Sequence, residues 1–106
     1  MPKVVFSDSA RDDLQSIVAY TKESWGKAQA VSYVSGLRKQ TKILAEMPTI
    51  GRIYSPYKRQ EIRVFSYGKH LIYYCQQSHG ITVIHVTHES MEQSLHVMTN
   101  GSAQSI

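Results

Sequence analysis

Hydrophobic positions along the first half of the chain recur at helical spacing. Leu14, Ile17, Val18 and Thr21 form one apolar stripe, and Val31, Val34, Leu37, Thr41 and Leu44 form a second. Ahead of the first stripe stand Ser7, Asp8 and Ser9, all residues that cap helix N-termini, and Ser9 with Asp12 resembles a capping box. Asp12 and Asp13 then fall in the first turn, where the helix dipole favours anions. Trp25-Gly26 ends the first helix, with Gly26 as its C-terminal cap. A second helix is predicted from about Lys27 to Met47, and Pro48 stops it. The connection between the two is so short that they must form an antiparallel hairpin.

The second half changes period. After a loop containing Pro48, Gly51 and Pro56, three strand-like runs follow, Glu61–Phe65, His70–Gln77 and Ile81–Thr87. Gly68 and Gly80 separate them, so they read as a meander of antiparallel strands. Val4 and Phe6 add a short strand ahead of the helices. The predicted order is β-α-α-β-β-β: an α+β fold in which a helical hairpin packs on a small antiparallel sheet of about four strands. In His70–Gln77 both alternating sets are partly apolar: Leu71, Tyr73 and Cys75 on one side, Ile72 and Tyr74 on the other. Only one face can pack on the helices, so part of the second is expected to be open or covered by a partner. Met91–Met98 reads as a short final helix, with Met91, Leu95 and Met98 on its apolar side.

At 106 residues the chain makes one domain, assigned to 1–99, and the polar, small-residue stretch 100–106 reads as a mobile tail. Cys75 is the only cysteine, which excludes an internal disulfide and fits a reducing cytoplasm. The start of the sequence shows no apolar leader, and no apolar run approaches the roughly 20 residues a membrane helix needs. A cytoplasmic protein with no membrane partner is the expectation.

Charge sharpens the picture. Residues 38–69 hold eight bases against Glu46 and Glu61, a net of +6, whereas residues 70–106 contain no Lys or Arg. Tyr54, Tyr57, Phe65, Tyr67, Tyr73 and Tyr74 cluster in or beside the same stretch. A partner that is acidic, either nucleic acid or protein, is implied. Arg38, Lys39 and Lys42 lie toward the end of the second helix, where cations are favoured without any partner. Lys58, Arg59, Arg63 and Lys69 interleave with aromatics and are better binding candidates.

Other chemistry is sparse. His85 and His88 are an odd number of strand positions apart and point to opposite faces, and no Cys or carboxylate completes a ligand set, so no metal or other cofactor is expected. His70 and His88 have two readings, packing and hydrogen bonding or acid–base work, the first being the commoner fate of such residues. Cys75, mid-strand among apolar residues, reads as a buried inert thiol. The chain has no Gly-x-Ser-x-Gly elbow and no phosphate-binding glycine loop.

Taken in order, these residues resemble the ParE branch of the ParE/RelE toxins of bacterial toxin–antitoxin modules. The likeness runs through Ala10, Asp13-Leu14, Ile17, Tyr20, Trp25-Gly26, Ala30, Tyr33, Leu37, Leu44, Pro48 and Gly51. It continues through Glu61-Ile62-Arg63, Phe65, Gly68, His70, Ile72 and Tyr74. It closes on Val86–Glu92, similar to the family's His-x-x-Met-Asp, with Glu92 in place of the Asp. The resemblance implies a toxin that inhibits DNA gyrase, serves plasmid stabilisation, and is neutralised by a ParD-like antitoxin with a disordered, acidic and apolar tail. DNA binding by the pair would then come from the antitoxin, and this chain alone would bind no specific DNA sequence. The alternative is ribosome-dependent cleavage of messenger RNA, as in the RelE branch. Such nucleases typically show Arg-x-Gly-x-Tyr-Arg at the strand turn, where this chain reads Ser66-Tyr67-Gly68-Lys69-His70-Leu71. Both arginines are replaced, and Leu71 cannot stabilise phosphorane charge. The resemblance therefore implies a gyrase inhibitor without its own catalytic site. Partner contacts are expected at Arg59, Arg63, Lys69, Tyr73, His88, Met91 and Glu92; if the chain were a nuclease, Arg63, Lys69, His70 and His88 would form its site.

Overall fold

Two antiparallel helices lie across one face of a five-stranded sheet in a computed structural model that describes residues 1–56 and 61–91. The elements are β1 (Lys3–Phe6), α1 (Asp8–Trp25), α2 (Lys27–Glu46), a 3-10 turn (Pro48–Ile50), β2 (Arg52–Pro56), β3 (Glu61–Tyr67), β4 (His70–Gln77), β5 (Gly80–His88) and a second 3-10 turn (Glu89–Met91). The α+β class and the order of the predicted elements hold. The predicted helix over Met91–Met98 lies beyond the described residues except for Met91, which ends the second 3-10 turn.

Two features of the sheet differ from expectation. Its order is β1-β5-β4-β3-β2, so it is mixed: β1 runs parallel to β5 while the other pairs are antiparallel. The fifth strand, β2, forms where Gly51 and Pro56 suggested a loop. Proline is tolerated there because β2 is an edge strand, and its pairing with β3 shifts register between Ile53 and Ser55.

The helices begin and pack differently in detail. Ser7, not Ser9, caps α1: its hydroxyl oxygen accepts the Ala10 N–H at 3.0 Å, and Ser9 is already helical. Gly26, at φ +95, both ends α1 and opens α2, a conformation that favours glycine. The buried stripe of α2 is Ala30, Val34, Leu37, Thr41, Leu44 and Ala45. Val31 is 61% exposed, because small Ala30 takes the inward position one residue earlier. Of these, Val34, Leu37, Leu44 and Ala45 cluster with Ala10, Leu14 and Ile17, with Ile72 and Tyr74 of β4, and with Ile81, Val83 and Val86 of β5.

β4 is buried on both faces from Leu71 to Cys75. On the face away from the helices, Val64, Leu71 and Tyr73 form a second cluster with Tyr54 and Ile62. The Tyr54 and Tyr73 rings meet edge to face, 5.0 Å apart. This part of the second face, expected to be open or covered by a partner, is instead buried within the chain itself, beside Val64, Tyr54 and Ile62.

One irregularity organises the helix–sheet contact. Between β4 and β5 the register steps from Tyr73↔His85 to Tyr74↔Val83, leaving Ile84 as an extra residue. A bulge frees backbone groups, and the start of α1 takes them up. Ser7 donates its hydroxyl proton to the Ile84 carbonyl at 2.7 Å, and Asp13 Oδ2 accepts the Val86 N–H at 2.9 Å. His85 Nδ1 also stands 3.3 Å from Asp13 Oδ2.

Val86 is buried, so Asp13→Ala strands its N–H with no acceptor. The expected cost is about 1–3 kcal/mol, read from urea unfolding, with faster hydrogen exchange at the Val86 amide. Asp13→Asn, which keeps a carbonyl acceptor, should cost less. Equal stability of Asp13→Ala and the parent would show that the bulge does not need this carboxylate.

Candidate functional site

The β3–β4 turn and the end of β5 meet the middle of α2. Tyr67 and His70 pair across a two-residue turn whose first residue, Gly68, has φ +55. Glycine serves twice here, since a Cβ at Gly68 would come within 2.6 Å of the Tyr33 hydroxyl. That hydroxyl reaches from α2 into the turn. It lies 3.1 Å from the Tyr67 carbonyl and 2.6 Å from His70 Nδ1, and accepts the Lys69 N–H at 3.3 Å. The phenol has one proton, which goes either to the Tyr67 carbonyl or to His70 Nδ1, and in both cases Nδ1 is engaged by Tyr33.

His88 stands across from His70 in the β4–β5 register, and their rings meet edge to face at 5.3 Å. His88 Nδ1 accepts the Ser90 N–H at 3.1 Å, so its proton in the neutral form is on Nε2. The Nδ1 atoms of both rings are thus engaged within the chain. The Glu89 N–H donates to the Lys69 carbonyl at 2.7 Å and ties the end of β5 to the turn. Beside the pair runs a groove of about 490 Å³, bounded by Asp13, Ile17 and Tyr20 of α1 and by His70, Val86 and His88 of the sheet. Burial pushes the His70 imidazole below its ordinary pKa; the neighbouring His88 adds to this and Glu89 opposes it. Burial likewise raises the Tyr33 phenol.

The predicted site residues divide. His70, His88 and the backbone of Lys69 come together, with the Lys69 side chain exposed at the rim. Arg63 does not join them. It lies four residues before Tyr67 on β3, about 13 Å along the strand. Its guanidinium donates to the carbonyls of Gly51 at 2.6 Å and Thr49 at 3.2 Å and pairs with Glu61 at 3.1 Å. The Tyr74 hydroxyl completes this clasp, donating to the Pro48 carbonyl at 2.6 Å and accepting the Gly51 N–H at 3.0 Å. Tyr73 is buried on the opposite face. Arg59 and Glu92 lie outside the described residues. Tyr33 and Tyr67, whose rings pack 5.4 Å apart, belong to the site without having been singled out for it. The one local hint of them was Gly68, a glycine at a turn where another chain segment approaches closely. Among the described residues no group of three or more His, Cys, Asp or Glu is placed to hold a metal ion.

The chain aligns with a chain in the solved structure of the chromosomal ParDE TA system from P. aeruginosa at a TM-score of 0.66. That alignment has 17% identity and covers 83% of this chain and 96% of the other. The family model for the ParE toxin of type II toxin-antitoxin system, parDE, matches residues 4–93, and the chain belongs to that family. Toxin ParE1 of Caulobacter vibrioides is 30% identical over 91 residues, spanning 86% of this chain and 93% of that protein.

The His70 environment has a pH signature. An unfolded histidine takes up its proton near pH 6.5, and folded His70 does so only at lower pH. Between those values the unfolded state binds more protons, so the contribution is complete above about pH 6.5 and lost as pH falls through the window below it. His70→Asn offers an N–H to the Tyr33 oxygen and cannot titrate. Its melting temperature should fall less between pH 7.5 and 5.5 than that of the parent. An identical fall in both would show that His70 does not carry the pH dependence.

Proposed function

We propose that this ParE-family toxin acts in the cytoplasm by inhibiting DNA gyrase, and that a ParD-like antitoxin neutralises it. The observation that carries this reading is the pairing of Ser66 with Leu71 across the β3–β4 hairpin. RelE-type nucleases carry arginines at these two places. Here Leu71 is 5% exposed, packed with Val64 and Tyr73, and Ser66 is a neutral hydroxyl. Neither can meet the charge of a pentacovalent phosphorus. Of the two cations that could compensate, Arg63 is held by two carbonyls and Glu61 at the far end of its strand, and Lys69 points its exposed side chain from the rim of the turn. His70 has one nitrogen committed to Tyr33 and is kept neutral by burial. The site supports recognition by shape and hydrogen bonding. Lys69, His88, Met91 and Glu92 are the contacts this reading assigns to partners. Arg59 adds charge to the same stretch of sequence.

The deciding experiment pairs two assays on the purified protein: supercoiling by purified gyrase, and cleavage of a defined message on purified ribosomes. Supercoiling should stop while the message stays intact. Ribosome-dependent cuts with normal supercoiling would replace this reading with the nuclease one.

The antitoxin contact should be partly electrostatic. Exposed charges are screened over about 8–10 Å at physiological salt, so affinity should fall as salt rises, and less steeply in Lys69→Ala. Arg63→Ala is a poor probe, because it would strip two carbonyls of their donor. An unchanged salt slope in Lys69→Ala would remove that side chain from the interface.

A further inference from the structure

Spacing along β5 sets His85 and His88 on opposite faces, so those two cannot share an ion. Pairing across the sheet does what spacing does not, and puts His70 directly opposite His88. Opposed residues of antiparallel strands hold their Cβ atoms about 4.5–5.5 Å apart, within the bite of a single ion. Both rings line one groove, whose polar wall comes from Asp13, Ser16 and Tyr20 of α1. Each ring has its Nδ1 engaged. That of His70 is 2.6 Å from the Tyr33 hydroxyl; that of His88 is 2.8 Å from the Ser90 hydroxyl and 3.1 Å from the Ser90 amide. Nδ1 and Nε2 lie on opposite flanks of an imidazole. Tyr33 stands on α2 and is not among the groove's lining residues, so the flank of His70 that lines the groove is the one carrying Nε2.

We propose that His70 and His88 bind one divalent transition-metal ion of the zinc(II) type through their Nε2 atoms, with water in the groove completing its coordination. A zinc ion sits about 2.0–2.1 Å from an imidazole nitrogen, and at the tetrahedral angle it holds two ring centres about 5.2 Å apart. The observed separation is 5.3 Å. The planes cross at 83°, and tetrahedral coordination leaves that angle free. Nitrogen ligands select zinc, copper or nickel over magnesium and calcium, which take oxygens. The outer contacts fit as well: a metal-bound histidine donates its other N–H to a fixed acceptor, and the hydroxyls of Tyr33 and Ser90 stand at those places. Burial keeps His70 uncharged, which reduces competition from protons. Among the described residues no group of three His, Cys, Asp or Glu surrounds the position, so the site is one for an exchangeable ion.

Binding has a defined proton consequence. The free His88 ring accepts the Ser90 N–H at Nδ1 and carries its proton on Nε2. With an ion on Nε2 that proton moves to Nδ1, which donates to the Ser90 hydroxyl, and the exposed Ser90 amide turns to water. His70 Nδ1–H donates to the Tyr33 oxygen, whose own proton goes to the Tyr67 carbonyl. Two neutral rings thus bind the ion without net proton release. The inference is independent of the gyrase reading, because metal binding alone tests it.

The probe is zinc chloride, titrated into the full chain without an affinity tag in competition with a fluorescent chelator. Magnesium chloride is the control. One equivalent of zinc should bind, and magnesium should not. His70→Asn and His88→Asn, each checked by its melt, should weaken binding at least tenfold, whereas His79→Asn and His85→Asn should leave it unchanged. Tyr33→Phe, which removes only the outer oxygen, should weaken it about tenfold. The parent protein gives a test that needs no variant: imidazole nitrogen shifts in NMR should show zinc at both Nε2 atoms and the His88 proton transferred to Nδ1. Absence of saturable zinc binding, magnesium binding as tight as zinc's, undiminished binding in His70→Asn or His88→Asn, or shifts confined to other histidines would each overturn the proposal.

Discussion

The extra residue at Ile84 sets the geometry of the rest. A strand alternates sides every residue, so Ile81 and Val83 facing the helices would be followed inward by His85 and Thr87. The insertion reverses the phase: Val86 goes into the core and His88 arrives on the side of His70. Such a step leaves a carbonyl and an N–H without ladder partners, and a buried orphan of this kind costs about 1–3 kcal/mol. Ser7 and Asp13 meet both needs from α1. Ser7 is also the residue at which the chain leaves β1 and the cap of α1. One short segment therefore ends the edge strand, starts the helix and fixes the phase of β5. The histidine pair exists because those three requirements are met together.

A second clasp explains why a concentration of charge in the sequence is not one in space. Tyr74, Arg63 and Gly51 bind the turn after α2 to the sheet, and a Cβ at Gly51 would come within 2.3 Å of the Tyr74 hydroxyl. Arg63 is spent on this structural task. Arg38, Lys39 and Lys42 line a groove beside β1, and Lys69 stands at the hairpin rim. These five described bases are thus divided among an internal clasp, an outer groove and a turn. The last two places leave their charges exposed to an acidic partner.

Much of this fold could be read from local pattern. The helices announce themselves by period and by Gly26, and the β3–β4 and β4–β5 hairpins by Gly68 and Gly80; the unbroken apolar run of β4 pointed to a second apolar face, but not to its burial by the chain's own β3 and Tyr54. What escaped is non-local. The parallel pairing of β1 with β5 joins residues 77 positions apart, such as Lys3 and Gly80, and no local signal specifies it. The bulge is invisible because Ile84 fits either phase of the alternation; only Ser7 and Asp13 make the irregular one favourable. β2 was masked by proline and glycine, which an edge strand accommodates. Val31 was assigned inward and Ala30 overlooked, because a small residue gives a weak apolar signal while allowing the closest approach. The candidate site was half legible: His70 and His88 could be named, but Tyr33, 37 residues before His70, could not be tied to them.

The state of the histidine pair follows from that tie. A catalytic base works best when it is free to exchange its proton near the working pH and faces the group it serves. His70 is anchored through Nδ1 to a phenol that is itself fixed by two backbone groups of the turn, and burial favours its uncharged form. His88 is anchored in the same way by the Ser90 amide. Such anchoring fixes the orientation of both rings and the placement of their two remaining nitrogens. A rigid pattern of this kind suits recognition, where fixed partners reduce the entropy lost on binding. Leu71, next to His70 in sequence, turns to the other face of the sheet and joins the second apolar cluster, so the two rings meet on the helix side with their orientations fixed by Tyr33 and Ser90.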